Sequence, residues 1–309
     1  MSDTRPLVHA AGRRCPGRPA ASYQPQPPRG SKAWRKFASN INARLVRNFA
    51  GTRSMVVQNR LLAGMAPETF DHLRPWLQPI ALKRRAILQE YDRRIEHIYF
   101  IERGLASVFA RTKRDGPVEV SIVGRFGFVG VAAVLGIMRS PIRCWMEVPG
   151  EALRITSKDL RRVMDAIPAV RQHLLTYVHA LLIQNSLLAL CNVRHELEER
   201  LCRWLLLASD RLDEKAIPLT HDQLSISLGV RRASVTRTLA NLEEAGAVIK
   251  SRRAVEIASR AILEKKTCEC YRIIASEYAR ISGSGRHIIE AVPLAGHLSH
   301  LESASRTTY

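Results

Sequence analysis

The chain has 309 residues, a formal net charge of +20 at pH 7 and a sequence pI of about 10.5. This length allows two compact domains with tails, and no uninterrupted run of about 18 apolar residues marks a membrane span. Six cysteines are scattered through a chain that lacks the apolar core of a secretory signal, which indicates reduced thiols and a cytoplasmic protein. The excess of basic charge favours a polyanionic partner such as nucleic acid.

Residues 1–54 carry half of the net charge. They contain eleven Arg or Lys residues against one acidic residue, Asp3. The segment is rich in Pro, Ala and Ser and has no sustained apolar period, so we predict a largely disordered basic tail. Two interpretations stay open, either an arm that strengthens non-specific DNA binding or translated sequence upstream of the functional start.

Residues 55–165 show the pattern of a β-rich domain. After a short helical segment at 67–77, the sequence predicts strands separated by turns at 102–104, 115–116 and 149–150. A glycine-rich loop lies within the series, at 124–130. Many short strands joined by such turns are typical of a barrel or roll.

A long helix is predicted at 166–192. From Val170 to Cys191, apolar residues recur near the helical period. Such a stripe needs a partner, which is either the β-rich domain or a second copy of the same helix. We favour a homodimer seam, because two DNA-reading units must be joined to read a palindromic site. Another helix is predicted to follow, at 194–208.

Residues 193–265 carry the pattern of a winged helix-turn-helix. Thr220 is placed to cap a first helix, with Gln223 at the capping-box position, and Gly229 lies at the corner. A second helix from about Arg231 buries one apolar face and exposes the opposite one. Two short apolar runs at 247–250 and 254–257 then flank a basic turn, which predicts a β-hairpin wing.

The exposed face of the second helix and the wing supply the predicted DNA contacts. An arginine on this helix can bond both acceptors of guanine, whereas hydroxyls and a helix N-terminus suit phosphate oxygens. The residues predicted to contact DNA are Thr220, Arg231, Arg232, Ala233, Ser234, Thr236, Arg237, Lys250, Arg252 and Arg253.

The order of β-rich domain, long helix and winged helix-turn-helix resembles the Crp/Fnr family of bacterial transcription regulators over about residues 55–265. The motifs that carry the resemblance lie at 99–104, 126–130 and 219–239, together with the long helix. It implies an α+β chain with an N-terminal β-roll (jelly-roll) sensor domain, a dimerisation helix and a C-terminal winged helix-turn-helix, followed by an extension at 266–309.

The resemblance also implies the partners and some residue roles. The expected partners are double-stranded DNA with a two-fold symmetric site, a second copy of the chain, RNA polymerase and a small-molecule effector of unidentified class. The family's base-contacting positions fall on Arg232, Ala233 and Arg237, and its phosphate-contacting cap falls on Thr220.

The expected ligand site departs from that of the cyclic-nucleotide-binding members. Those members have a Gly-Glu pair after the glycine loop, whereas this chain has a valine in place of the glutamate. Without that acceptor a buried ribose hydroxyl would stay unpaired, at a cost of about 1–3 kcal/mol, so we do not expect cyclic-nucleotide sensing. The family's phosphate-binding Arg-Ser pair has two candidates here. The candidate ligand residues are Gly130 and Val131, with either Arg143 and Cys144 or Arg139 and Ser140.

We predict no cofactor and no metal site. Cys268 and Cys270 are closely spaced, and Cys191 lies four residues before His195 on a predicted helix, but neither pair has a neighbouring partner pair in the sequence. The iron–sulfur branch of the family needs several N-terminal cysteines, whereas only Cys15 is present there.

Haem sensing stays open at His72 and His97. An enzyme is not expected, because the sequence has no Gly-x-Ser-x-Gly elbow, no phosphate-binding loop and no metal-protease helix. The sequence therefore predicts a sequence-specific transcription regulator. The alternative is a basic nucleic-acid-binding protein without sequence preference, whose binding would fall steeply with salt.

Overall fold

A computed structural model of the chain describes residues 55–114, 116–251 and 253–282 and a strand at 288–289. The predicted basic tail at 1–54 lies outside these ranges. The strands are β1 (Met55–Val56), β2 (Gln78–Leu82), β3 (Ile87–Gln89), β4 (His97–Ala110), β5 (Val118–Val123), β6 (Phe128–Val129), β7 (Ile142–Thr156), β8 (Ala216–Ile217), β9 (Val248–Ser251), β10 (Ala254–Ile257) and β11 (Ile288–Ile289). The helices are α1 (Arg60–Ala63), α2 (Pro67–Leu73), α3 (Val131–Val134), α4 (Ser157–Ala166), α5 (Pro168–Arg194), α6 (Leu197–Leu212), α7 (His221–Leu228), α8 (Arg232–Glu244), α9 (Arg260–Lys266) and α10 (Cys270–Ile281).

The N-terminal strands form one antiparallel sheet in the order β2-β7-β4-β5, with β3 paired to β7 and β6 to β4. Strands β4 and β7 pair along nearly their whole length, from His97 opposite Thr156 to Ala110 opposite Ile142. The turns predicted at 102–104 and 149–150 are therefore wrong, since both strands run through these positions. Gly104 has a φ of +87° inside β4, and the register shifts around it. The glycine accommodates a β-bulge and not a chain reversal.

The core of this β-roll continues into the long helix. Phe100 and Phe128 are fully buried inside the roll, and the Phe128 ring lies 4.7 Å from that of Tyr177 on α5, centroid to centroid. Leu174, one turn earlier on α5, is also fully buried. The first half of α5 thus forms one wall of the roll's core. The β-rich domain, one of the two predicted partners of its apolar stripe, covers this half.

The second half of α5 leaves apolar side chains in solvent. Leu182, Leu190 and Val193 are 61%, 48% and 81% exposed. By length and composition alone, helix α5 is long and apolar enough to cross a membrane. Its most apolar stretch of 18 residues has a mean hydropathy of 1.6, and 33% of this stretch is buried. The core helix of a folded domain has the same length and hydropathy. The first half of α5 packs on the roll as such a core helix does.

A buried hydrogen-bond network joins the roll to α5 and α6. The Arg211 guanidinium donates to Gln184 Oε1 at 2.5 Å and to the carbonyl of Ile122 at 3.1 Å, and the Gln184 amide donates to Ser121 Oγ at 2.7 Å. The guanidinium also lies 4.9 Å from the Tyr278 ring centroid on α10. Because each of these polar groups has a partner, the network fixes the elements without leaving a buried hydrogen-bond donor of Arg211 unpaired.

The C-terminal strands form a separate small sheet in the order β8-β10-β9. Helix α8 packs against β9 and α6 against β8, α7 packs on α8, and α9 and α10 follow the sheet in the chain. The architecture is the predicted one, an α+β chain with a sheet-rich N-terminal part, a long linking helix and a C-terminal winged helix-turn-helix.

Candidate nucleic-acid interface

Helix α7 begins at a capping box, as the sequence predicts. The backbone N–H of Gln223 donates to Thr220 Oγ1 at 3.3 Å, and the backbone N–H of Thr220 donates to Gln223 Oε1 at 2.9 Å. The helix ends at Gly229, whose φ of +65° is a left-handed conformation that favours glycine. These two local signals set the start and the end of the first helix of the motif.

Helix α8 is oriented by three apolar side chains. Val235, Leu239 and Leu242 are fully buried, so the opposite face must lie in solvent. The predicted contact residues on α8 and at its N-cap are placed on that open surface. Arg231, Arg232, Ala233, Thr236 and Arg237 are exposed, and Ser234 is partly buried.

The charges of α8 differ between its two ends. At the N-terminal end, Arg232 Nε lies 3.2 Å from Asp222 Oδ1, and both side chains are well exposed. Such a pair contributes at most about 1 kcal/mol, so a DNA phosphate or base can replace the aspartate at little cost. Glu243 and Glu244 lie at the C-terminal end, where they would repel phosphates. The N-terminal half of α8 is therefore the part suited to enter a DNA groove.

The wing is confirmed as an antiparallel hairpin of β9 and β10, with Lys250 opposite Val255. Lys250 Nζ lies 2.7 Å from Glu243 Oε2, and its backbone N–H donates to the other oxygen of that carboxylate at 2.8 Å. These hydrogen bonds lower the pKa of Glu243. The wing is thereby attached to α8. Arg253, just before β10, is partly buried, and Arg252 lies outside the described residues.

The helix-turn-helix is docked on the β-roll by two carboxylates that the sequence did not single out. Glu147 on β7 accepts from the Gln223 amide at 2.6 Å, and it also accepts from Trp145 Nε1 at 2.6 Å. Glu119 on β5 accepts from Trp204 Nε1 at 2.8 Å and from Ser227 Oγ at 2.9 Å. Burial raises the pKa of Glu119 to about 7, although the hydrogen bonds from Trp204 and other donors oppose this shift.

A cavity of about 310 Å³ lies beside the Glu119 contact. Its walls come from β5, α5, α6 and α7, and Gln184 and Arg203 contribute polar atoms. The junction between the roll, the long helix and the winged helix-turn-helix, which we call the reading head, is therefore incompletely filled. Two elements can shift against each other at such a boundary.

The candidate ligand residues lie on different elements. Gly130 has a φ of +107° and caps α3, of which Val131 is the first residue. Arg143 is on β7, where Nη2 lies 3.2 Å from Glu90 Oε2. The thiol of the neighbouring Cys144 is buried in the apolar core of the roll, which raises its pKa.

The other candidate pair precedes β7. Arg139 is exposed, and its backbone forms an isolated bridge to Arg94. Ser140 is buried, and its carbonyl accepts from the backbone N–H of Asp92 at 2.8 Å. The positions of these residues do not test the predicted ligand site, which stays a prediction.

The structure gathers four residues that the sequence presents as two unrelated pairs. Their thiol sulfur and imidazole nitrogen atoms all lie within 4.8 Å of one another. We call this set the cysteine–histidine cluster, and its members are Cys191, His195, Cys268 and Cys270. The signal available in the sequence was the two short spacings, but not the fold that brings them together.

Comparison with protein families assigns part of the chain. Residues 199–266 match the family of the Crp-like helix-turn-helix domain. A comparison with curated proteins found no match. The domain match runs from the third residue of α6 to the end of α9, including the corner and the wing described above, and it confirms the predicted Crp-like helix-turn-helix.

Several solved structures share the fold. A transcriptional regulator of the Crp/Fnr family from Eubacterium rectale has 15% identity and a TM-score of 0.50, covering 69% of this chain and 97% of its own. The c-di-GMP-responsive regulator CLP from Xanthomonas campestris has 14% identity and a TM-score of 0.53, with coverages of 63% and 100%. FixK2 from Bradyrhizobium japonicum has 13% identity and a TM-score of 0.50, with coverages of 62% and 98%. At these identities the likeness establishes the fold.

Proposed function

We propose that this chain, a transcription regulator of the Crp/Fnr type with a DNA-binding helix-turn-helix, works as a homodimer that reads a two-fold symmetric DNA site and responds to an effector through its β-roll. The observation that carries the proposal is the N-terminal half of α8. Its arginines and small side chains are exposed because Val235, Leu239 and Leu242 are fully buried on the other side.

The exposed face of α5 supports the homodimer. One set of its exposed positions follows spacings of three and four residues, which is the heptad spacing of a helix that packs against another helix. The residues of this seam are His179, Leu182, Ser186, Ala189 and Val193. The small side chains in its middle let two helices approach closely. Pairing the two copies of α5 would place two reading heads as a symmetric site requires.

Base reading is assigned to Arg232, Ala233 and Arg237. Phosphate binding is assigned to Thr220, Arg231, Ser234, Thr236 and the wing residues Lys250, Arg252 and Arg253. Helix α8 has 13 residues, and the positive end of its dipole points toward the proposed groove. Contact with RNA polymerase and a cytoplasmic location follow from the same assignment, and so does the absence of enzymatic activity.

Effector sensing requires a path from the roll to the reading head. Glu147 offers one, because it lies three residues beyond the candidate ligand residue Cys144 on β7 and accepts from Gln223 at the start of α7. An effector that shifts β7 would change this hydrogen bond. It must bind one arrangement better than the other in order to bias the equilibrium.

The test is in vitro selection from random DNA duplexes with the full chain, beside a variant that comprises residues 55–309. We expect enrichment of an inverted repeat with half-sites about one helical turn apart. Salt-sensitive binding without enrichment would favour the non-specific alternative. Enrichment that needs residues 1–54 would assign a role to the basic segment.

A further inference from the structure

The cysteine–histidine cluster lies where three parts of the chain meet. Cys191 is in the last turn of α5, and His195 follows it at the break before α6. Cys268 lies between α9 and α10, and Cys270 is the first residue of α10. Residues about 75 positions apart in the chain are thus brought to one point.

The donor atoms have the spacing of a ligand set. Cys191 Sγ lies 3.6 Å from Cys268 Sγ, and Cys270 Sγ lies 3.7 Å from His195 Nδ1. A tetrahedral zinc ion, with Zn–S bonds of about 2.3 Å and Zn–N bonds of about 2.0 Å, holds its donors roughly 3.5–3.8 Å apart. The longest distance between two donor atoms of the cluster is at most 4.8 Å, so it exceeds this range by no more than about 1 Å.

We propose that the cysteine–histidine cluster binds a single zinc ion in a closed, structural site. Three sulfur donors and one imidazole nitrogen are the set that zinc prefers in such sites. The three cysteines are 0%, 4% and 2% exposed and His195 is partly buried, so the sulfur donors are shielded from water as in a structural site. Donors this close together suit one ion.

A buried arginine supplies the charge that such a site needs. Three thiolates and a zinc ion carry a net charge of −1, which is costly to bury alone. Arg203 on α6 is 2% exposed, and its Nε has no hydrogen-bond partner among the described residues. Its positive charge interacts electrostatically with Cys191 of the cluster. The guanidinium is therefore a buried cation beside a group of potential thiolates.

The position of the site gives it a structural consequence. A zinc ion there would join the end of α5 to the start of α10, across the break that separates α5 from α6. Helix α10 already packs along α5 and reaches α6, where the Tyr271 hydroxyl donates to Asp210 Oδ2 at 3.0 Å. The ion would thus fix the angle at which the helix-turn-helix domain leaves the long helix.

The first test is metal binding by the full chain under reducing conditions. Elemental analysis should find one zinc per chain, removable by a strong chelator with a drop in Tm. Reconstitution with Co²⁺ should give the visible absorption of tetrahedral cobalt and the near-ultraviolet band of thiolate-to-cobalt charge transfer. A chain with all thiols reduced that binds neither ion overturns the proposal.

Matched variants separate a ligand role from a packing role. Cys268→Ser and Cys270→Ser should abolish stoichiometric cobalt binding, whereas Cys202→Ser, at an equally buried cysteine outside the cluster, should retain it. His195→Cys should keep a tetrahedral spectrum with stronger charge transfer. Arg203→Gln should weaken metal affinity by about 10–100-fold. Equal losses in Cys202→Ser and Cys268→Ser, or a disulfide between Cys191 and Cys268 in freshly prepared protein, would refute the zinc site. None of these readouts depends on DNA binding.

Discussion

Arg237 lies on the exposed face of α8, opposite Val235 and Leu239, and has no ion-pair partner among the described residues. Its guanidinium is therefore available to a base. We expect Arg237→Ala to weaken binding to the selected site by about 1–3 kcal/mol and to relax base preference at one position of each half-site. Repeating the selection with the variant measures this. Arg272→Ala, which removes an exposed arginine from α10, is the matched control.

If Arg237→Ala leaves the preferred site unchanged, the assignment of bases to this face of α8 is wrong. The burial of Val235 and Leu239 would stay as it is, but the groove-facing residues would have to be sought nearer the N-cap, at Arg231 and Arg232.

Lys250 differs from Arg237 in that one of its protons is already engaged by Glu243. Two donors of the ammonium group stay available to a phosphate. We expect Lys250→Ala to weaken binding on all sequences alike, and to reduce the slope of log K against log salt by about 1. Titrations at several salt concentrations, on the selected site and on random DNA, give both quantities. A loss confined to the selected site would contradict the phosphate role.

The seam of α5 leads to a separate prediction about dimerisation. Leu182 is 61% exposed in the single chain, and two copies of α5 would bury it. A glutamate there would place two like charges in an apolar contact, so Leu182→Glu should shift the protein from dimer to monomer and weaken binding to the inverted repeat. Sedimentation equilibrium measures the shift. The control Ile87→Glu, at a 50% exposed position on β3, should stay dimeric. If the Leu182→Glu dimer is as stable as that of this control, the proposed seam on α5 is wrong.

The elements that the sequence predicts well are those that local chemistry determines. The capping box of Thr220 and Gln223, the left-handed Gly229 and the buried stripe of α8 each depend on residues a few positions apart, and the structure contains all of them. Local signals misled at Gly104, where a glycine after two charged residues is typical of a turn. The partner strand β7 decides the outcome there, and it is more than 40 residues away.

The parts of the site that escaped prediction depend on tertiary contacts. Neither Glu119 nor Glu147 differs in sequence from an ordinary strand carboxylate, and their donors on α6 and α7 lie 76 or more residues further along the chain. The cysteine–histidine cluster has the same origin, because each of its pairs is ordinary alone. Contacts of this kind depend on how helices and strands pack against each other, and the hydrophobic periodicity of the sequence does not predict them.

Two carboxyls, the buried Glu102 and the partly buried Glu119, make the stability of the folded chain depend on pH. Glu119 lies at the contact between the roll and the reading head, and Glu102 accepts from the backbone N–H groups of Gln58 and Asn59. Burial raises the pKa of each to about 7, against hydrogen bonds that lower it. Removal of the carboxylate from water thus outweighs its partners in both cases.

The direction of the pH effect follows from proton uptake. In the unfolded chain both carboxyls titrate near the ordinary glutamate pKa of 4.5, whereas in the folded chain they hold their protons up to about pH 7. Their contribution to stability is therefore complete below pH 4.5 and is lost as the pH rises through 7. Each carboxyl accounts for at most about 3 kcal/mol.

We expect these two carboxyls to lower the free energy of unfolding between about pH 5 and about pH 8, and Glu119→Gln to remove part of this contribution. The glutamine keeps an acceptor for Trp204 or Ser227 but has no proton to lose, so its curve should be flatter. Urea unfolding at a series of pH values measures both curves, and Glu68→Gln, at an exposed carboxyl on α2, should reproduce the slope of the unmodified chain. Parallel curves for the chain and Glu119→Gln would mean that Glu119 stays ionised in the folded state. The docking of the reading head on the roll would then be independent of pH, and any weakening with pH would have to arise at Glu102.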